Sequence, residues 1–320
     1  MKEISRVVVQ DACAWTLAWI GGDLFDVSDR FRRIPLDGSP CPEGGERYDD
    51  NLDSVVVSPK GDVFALVNTI GTEALLIAPD GSVIRELSRF DNDADLYRYP
   101  LALLTMPNGR TGVVHCPEDS GQLDIEDALT GDRLALPEGR LDGDFYHSRL
   151  AVSADGHYLL SAGWVWMPFD GLAIYDLRRV WDQRGGLAGD GDVAQVRDFS
   201  SLEVEGACFV GDSVMIGSDK GLWLWSLTSK EFVWHREFPH PLGDLVALRE
   251  GVLSLYEHPR LHDVGTGDVL AEWPELATGE AKSSLVGDGW FSGPATIAVD
   301  PVNSRFAHTD GSTVSVIQLV

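Results

Sequence analysis

Three observations predict an all-β fold, a seven-bladed β-propeller of four-stranded antiparallel blades. A strand–turn–strand pattern recurs seven times along the 320 residues. Its turns are rich in Asp-Gly and Asn-Gly, which supply the positive φ that tight hairpins need. The inner strands, such as Asp62-Val63-Phe64-Ala65-Leu66-Val67 and Leu222-Trp223-Leu224-Trp225, are apolar on successive residues. A sheet covered on one face would alternate, so these strands are buried on both, as happens when four-stranded units stack around a ring.

The repeat is read element by element. The turn after each opening strand reads Gln10-Asp11-Ala12, Ser58-Pro59-Lys60-Gly61, Met106-Pro107-Asn108-Gly109 and Ser153-Ala154-Asp155-Gly156. It continues as Val210-Gly211-Asp212, Arg249-Glu250-Gly251 and Asp300-Pro301-Val302-Asn303. One strand further on comes a hydrophobic-x-Asp-hydrophobic tetrapeptide: Leu24-Phe25-Asp26-Val27, Ile125-Glu126-Asp127-Ala128, Ile174-Tyr175-Asp176-Leu177 and Leu261-His262-Asp263-Val264. A second turn and a short final strand, as in Val83–Leu87 or Val269–Trp273, end each unit. Residues 176–184, DLRRVWDQR, form the one expected helical turn. The blades fall at residues 4–37, 52–88, 99–138, 147–199, 202–238, 243–276 and 283–320 of a single domain. The last is a strand short, and residues 4–9 are the candidate to complete it.

On these tetrapeptides, Ile174-Tyr175-Asp176-Leu177 above all, the chain resembles the WD-repeat class of β-propellers, as a divergent, bacterial member. The resemblance spans nearly the whole chain and implies a rigid interaction scaffold. The Gly-His dipeptide of that class is missing at the start of the blades, since Gly156-His157 lies in a different turn. Trp181-Asp182 falls beyond the tetrapeptide position. The side-chain network typical of the class is therefore not carried over.

Composition narrows the partners. Fifty-one acidic residues against 25 basic ones give a net charge of −26, a field that repels phosphate backbones and anionic lipid. Nucleic acid and membrane are thus not expected, and no stretch approaches the roughly 20 apolar residues of a membrane span. With no secretory leader in MKEISRVVVQDACAW, the expected location is cytoplasmic. Cys13, Cys41, Cys116 and Cys208 form no CxxC pair. Cys41, in SPCPEGG, is expected to be exposed and the other three buried.

In propellers of this kind, the links between blades and those from second to third strand open on one face. Here three successive links combine carboxylates with aromatics: Glu46-Arg47-Tyr48-Asp49-Asp50-Asn51, Asp91-Asn92-Asp93-Ala94-Asp95-Leu96-Tyr97-Arg98-Tyr99 and Asp142-Gly143-Asp144-Phe145-Tyr146-His147. Trp164, Trp166 and Phe169 cluster in residues 161–171. The candidate binding residues are therefore Tyr48, Asp49, Asp50, Asp91, Asp93, Asp95, Tyr97, Arg98, Asp144, Phe145, Tyr146, His147, Trp164 and Trp166. Gathered on one face they make an acidic surface with aromatic anchors, fit for a protein partner with a basic surface. The plainer account is that the carboxylates keep the ring soluble while the aromatics fill gaps between blades. Of Trp164 and Trp166, which alternate on a strand, one belongs to the core.

Catalytic and metal signatures are weak. Asp91, Asp93 and Asp95 imitate a calcium loop, but an EF-hand needs Gly where Leu96 stands and Glu where Ala102 stands. His258 and His262 have helical zinc spacing, yet Pro259 lies between them in a strand–turn–strand context. No nucleophile elbow, phosphate loop or HExxH occurs, and no cofactor is expected. The expected function is a non-enzymatic protein–protein interaction scaffold, of a kind that can serve as a subunit of a larger complex. The alternative is a metal-dependent hydrolase of a sugar acid or lactone, with Asp144 and His147 as the first base and ligand to suspect.

Overall fold

The computed structural model describes residues 2–44, 47–49, 51–91, 93–134, 145–165, 169–182, 186–187, 191–283 and 297–320. They form seven antiparallel sheets in a ring. From the axis outward, blade 1 contains β2 (Leu17–Ile20), β3 (Asp23–Asp26) and β4 (Arg32–Ile34). Blade 2 contains β5 (Ser54–Val57), β6 (Phe64–Val67), β7 (Glu73–Ile77) and β8 (Val83–Ser88). Blade 3 has β9 (Ala102–Thr105), β10 (Thr111–His115) and β11 (Asp124–Asp127). Blade 4 has β12 (Phe145–Val152), β13 (Tyr158–Val165) and β14 (Phe169–Asp176). Blade 5 comprises β15 (Val204–Val210), β16 (Ser213–Ser218), β17 (Gly221–Ser226) and β18 (Phe232–Arg236). Blade 6 comprises β19 (Leu245–Ala247), β20 (Gly251–Ser254), β21 (Arg260–Asp263) and β22 (Val269–Glu272). Blade 7 is β23 (Ile297–Asp300), β24 (Arg305–Thr309), β25 (Val314–Leu319) and, outermost, β1 (Glu3–Val9).

The turn chemistry read in the sequence is what bends the chain. Gly61, Gly109 and Gly156 sit at φ 67°, 79° and 72°, a region that side chains with a Cβ avoid. Ser58 and Ser153 close the same turns, accepting backbone N–H bonds from Val63 and Tyr158.

Burial on both faces of the inner strands is resolved residue by residue. Phe64 and Leu66 join the apolar cluster between blades 1 and 2, while Ala65 and Val67 join that between blades 2 and 3. Val113 and Val114 of β10 divide in the same way between its two neighbours. The core is thus a series of slabs, each shared by adjacent blades, so no blade can bury its apolar faces alone.

Three blades depart from the four-strand expectation among the described residues. After β4 the chain runs through Pro35, Pro40 and Pro42, which have no N–H to extend a ladder. After β14, Asp176 caps the helix α1 (Leu177–Trp181) by accepting from Arg178 N–H, and only Ala194 returns to bridge Ile174. In blade 3 a single bridge, Glu126 to Arg133, marks the fourth position.

Blade 1 also corrects one tetrapeptide. Leu24-Phe25-Asp26-Val27 ends the second strand, not the third, because β1 belongs to blade 7 and blade 1 begins at Leu17. Trp19 of β2 donates its indole N–H to the Ala298 carbonyl of β23, 3.1 Å away, which places β2 on the inner ring. Asp26 is fully buried and accepts from Trp15 N–H, Thr16 and Ser28, a local structural task. Cys13, expected to be buried, is exposed at φ 46°, because it lies in the irregular segment joining β1 to β2.

Candidate functional site

One face of the ring carries the turns from first to second strand, and the opposite face carries the links. The link face gathers exposed carboxylates from around the ring, including Asp49, Asp91, Asp95, Glu118, Asp219 and Glu257. Asp93 is half-buried, at φ 55° in the same turn as Asp91 and Asp95.

The aromatics of these links turn inward. Tyr97 and His147 are 0% exposed, Phe145 4% and Trp164 7%. Tyr97 meets Tyr146 edge-on at 5.6 Å, and Tyr146 lies against Trp164 at 4.6 Å, so the links before and after blade 3 do converge, but as packing. The Arg89 guanidinium sits 4.5 Å over the Tyr97 ring and donates to the Tyr97 and Ala94 carbonyls, which fastens the acidic turn from beneath. Tyr48 stands apart, between blades 1 and 2. Its hydroxyl donates to the Gly81 carbonyl at 2.6 Å, and Arg30 covers its ring at 4.8 Å. Asp50, Asp144 and Trp166 lie outside the described residues.

His147 is held by Ser161 Oγ at 3.1 Å and the Gly121 carbonyl at 3.3 Å. Burial pushes its pKa down to about 3, with the Gly121 bond pulling the other way, so the ring is neutral at pH 7 and already committed. His262 likewise pairs with Ser254 Oγ at 2.9 Å and is lowered to about 4 by burial. Among the described residues, no cluster of His, Cys, Asp and Glu has the makings of a metal site.

These two histidines give a pH prediction. Their folded pKa values lie below the ordinary 6.5, so the unfolded chain binds more protons between about pH 4 and 6.5. Their contribution to stability is therefore complete above pH 6.5 and is lost as pH falls, by about 1.4 kcal/mol per unit for each group. Urea unfolding at pH 7.5 and 5.0 should show the drop, and His147→Gln with His262→Gln should flatten it. Equal midpoints at both pH values would contradict these assignments.

Among the described residues the most connected polar cluster lies on the axis, and it takes in Arg98, which was expected on the link face. Arg98 Nη1 meets Asp244 Oδ2 at 2.5 Å, and Arg149 Nη1 lies 3.5 Å from Asp244 Oδ1. Arg149 also approaches Asp170 at 3.8 Å and donates to the Glu205 carbonyl and, at 3.2 Å, the Ala162 carbonyl. Glu205 accepts from Leu242 N–H at 2.6 Å and Gly243 N–H at 3.2 Å. Burial pushes Asp244 up, but Arg98 and Arg149 outweigh it and hold the carboxyl below its usual range. Glu205 is raised, because burial exceeds the help of those two amides. A signal existed for two of them: Glu205 and Asp244 each interrupt an apolar run at or beside the start of an inner strand, whereas Arg149 follows His147-Ser148 in the middle of β12.

This cluster floors a channel of about 1060 Å³ that opens between the turns Asp155, Asp212 and Glu250. Its lining runs from the charged cluster of Arg98, Arg149 and Asp244 to the turns at the opposite face, so its two ends are unlike.

Architecture and axial site together define a seven-bladed β-propeller. No family model matches the chain, and no curated protein matches it. Solved structures do. BamB from Moraxella catarrhalis is similar over 99% of this chain and 97% of its own, at 15% identity and a TM-score of 0.55. A chain of the mitotic checkpoint complex is similar over 99% of this chain and 91% of its own, at 10% identity and a TM-score of 0.55. At such identities the likeness is one of fold.

Proposed function

We propose that this propeller is a non-enzymatic protein-interaction scaffold whose link face receives a partner with a basic surface, as one component of a larger cytoplasmic assembly. The observation that carries the reading is the ring of exposed link carboxylates, Asp49, Asp91, Asp95, Glu118, Asp219 and Glu257, on a chain of net charge −26. The buried aromatics have a supporting part: Tyr97, Tyr146 and Trp164 fix the backbone of the acidic links, so the partner meets a preorganised surface and little entropy is lost on docking. That one structural neighbour belongs to a multi-protein complex agrees with this use of the fold.

Long-range attraction between opposite charges raises association rates and is screened by salt. Partners captured from native lysate should therefore elute between 50 and about 500 mM salt. They should be lost from a variant carrying Asp91→Asn, Asp95→Asn and Glu118→Gln, whose changes touch exposed side chains and leave the fold intact. Capture that is unchanged by both salt and the triple substitution would defeat the proposal.

A further inference from the structure

The axial channel is built unlike the link face and invites a different ligand. Its walls are the inner strands of several blades, and Leu150, Val152, Ala207, Phe209, Val246 and Ile297 line it. All six are half-buried: each packs on one side against an apolar cluster between blades and keeps part of its surface on the channel. Apolar surface facing a void of about 1060 Å³ gains free energy when an apolar body displaces the water there.

The two ends set the polarity of the ligand. At the floor, Arg98, Arg149 and Lys282 stand among Asp244, Asp170 and Glu205, so opposite charges are matched in number and already engaged. At the mouth, exposed Asp155, Asp212 and Glu250 stand beside one guanidinium, Arg249, and the His157 imidazole lies 2.9 Å from Asp155. A cation is therefore favoured at the mouth, and an apolar body along the walls between mouth and floor.

We propose that the channel binds a small cationic amphiphile, apolar body inward and positive end among Asp155, Asp212 and Glu250. The site is separate from the link face, so it stands or falls independently of the scaffold reading.

The test uses the whole chain and two probes. Decyltrimethylammonium, kept below its micellar concentration, is titrated by calorimetry, and the neutral dye N-phenylnaphthylamine is followed by fluorescence. Wild type should bind one equivalent of each, saturably. Ala207→Trp, which fills the channel, should weaken both by at least about tenfold. The mouth variant Asp155→Asn with Asp212→Asn and Glu250→Gln should weaken the cation by about fivefold while the dye is unaffected. Its changes are on exposed turns, so it decides the matter even if Ala207→Trp fails to fold. Decanoate, the anionic control, should bind more weakly than the cation. Absence of saturable binding by either probe, or cation binding indifferent to the mouth variant, would overturn the proposal.

Discussion

A chain lacking β1 is expected to lose cooperative unfolding and to melt at least about 10 °C lower, because closure of the ring rests on that strand. Glu3–Val9 pairs with β25 from Glu3 opposite Leu319 to Val9 opposite Val314. It also ties blade 7 to blade 6: Trp273 donates to Glu3 at 2.6 Å, and Arg6 meets Glu275 at 2.5 Å. Without it, β25 presents an unpaired edge, and Val314 and Val316 lose cover from Val9 and Val7. Calorimetry of the truncated chain measures the effect. A synthetic peptide of residues 2–11 should restore the lost transition in trans, since the edge it would fill is already shaped. An unchanged melting midpoint after truncation would show that the ring holds without its closing strand.

Asp244→Ala should rank second, destabilising the protein by about 3–5 kcal/mol, the usual result of stripping one partner from a buried ion pair. Arg98 would lose its 2.5 Å carboxylate partner, and Arg149 would keep Asp170 at 3.8 Å and the neighbouring Glu205. Most of the loss should persist at high salt, because the two side chains are only 12% and 22% exposed. Removing the charges together, as in Arg98→Met with Asp244→Leu, should recover much of it. Urea unfolding of the single and double variants forms the cycle, and a single variant within about 1 kcal/mol of wild type would refute the plug.

The fold was legible because its signals are local. Gly61, Gly109 and Gly156 recur in matching turns, and Phe64-Ala65-Leu66-Val67 is apolar on every residue because each face meets a different blade. Blade 1 misled for a physical reason. Its strands are short, its Asp26 answers Thr16 and Ser28 as a capping group, and the apolar run before it serves a blade on the far side of the closure. The candidate site was legible in charge and not in orientation. A link aromatic can turn in or out with the same spacing, and Tyr97 turned in because Arg89 and Tyr146 offered it partners. The axial cluster was harder still, since Arg149 and Asp244 come from blades 4 and 6 and only the closed ring brings them within 3.5 Å.

The pairing of β1 with β25 also orders events in time. A ribosome makes Val9 about three hundred residues before Val314, its partner, at roughly 5–20 residues per second. For that interval the nascent chain carries an unpaired strand with Ile4 and Val8 among its apolar side chains. Contacts of such sequence separation form slowly, so the docking of β1 onto β25 is expected late in folding. Until Val314 is made, that strand has no ladder partner of its own.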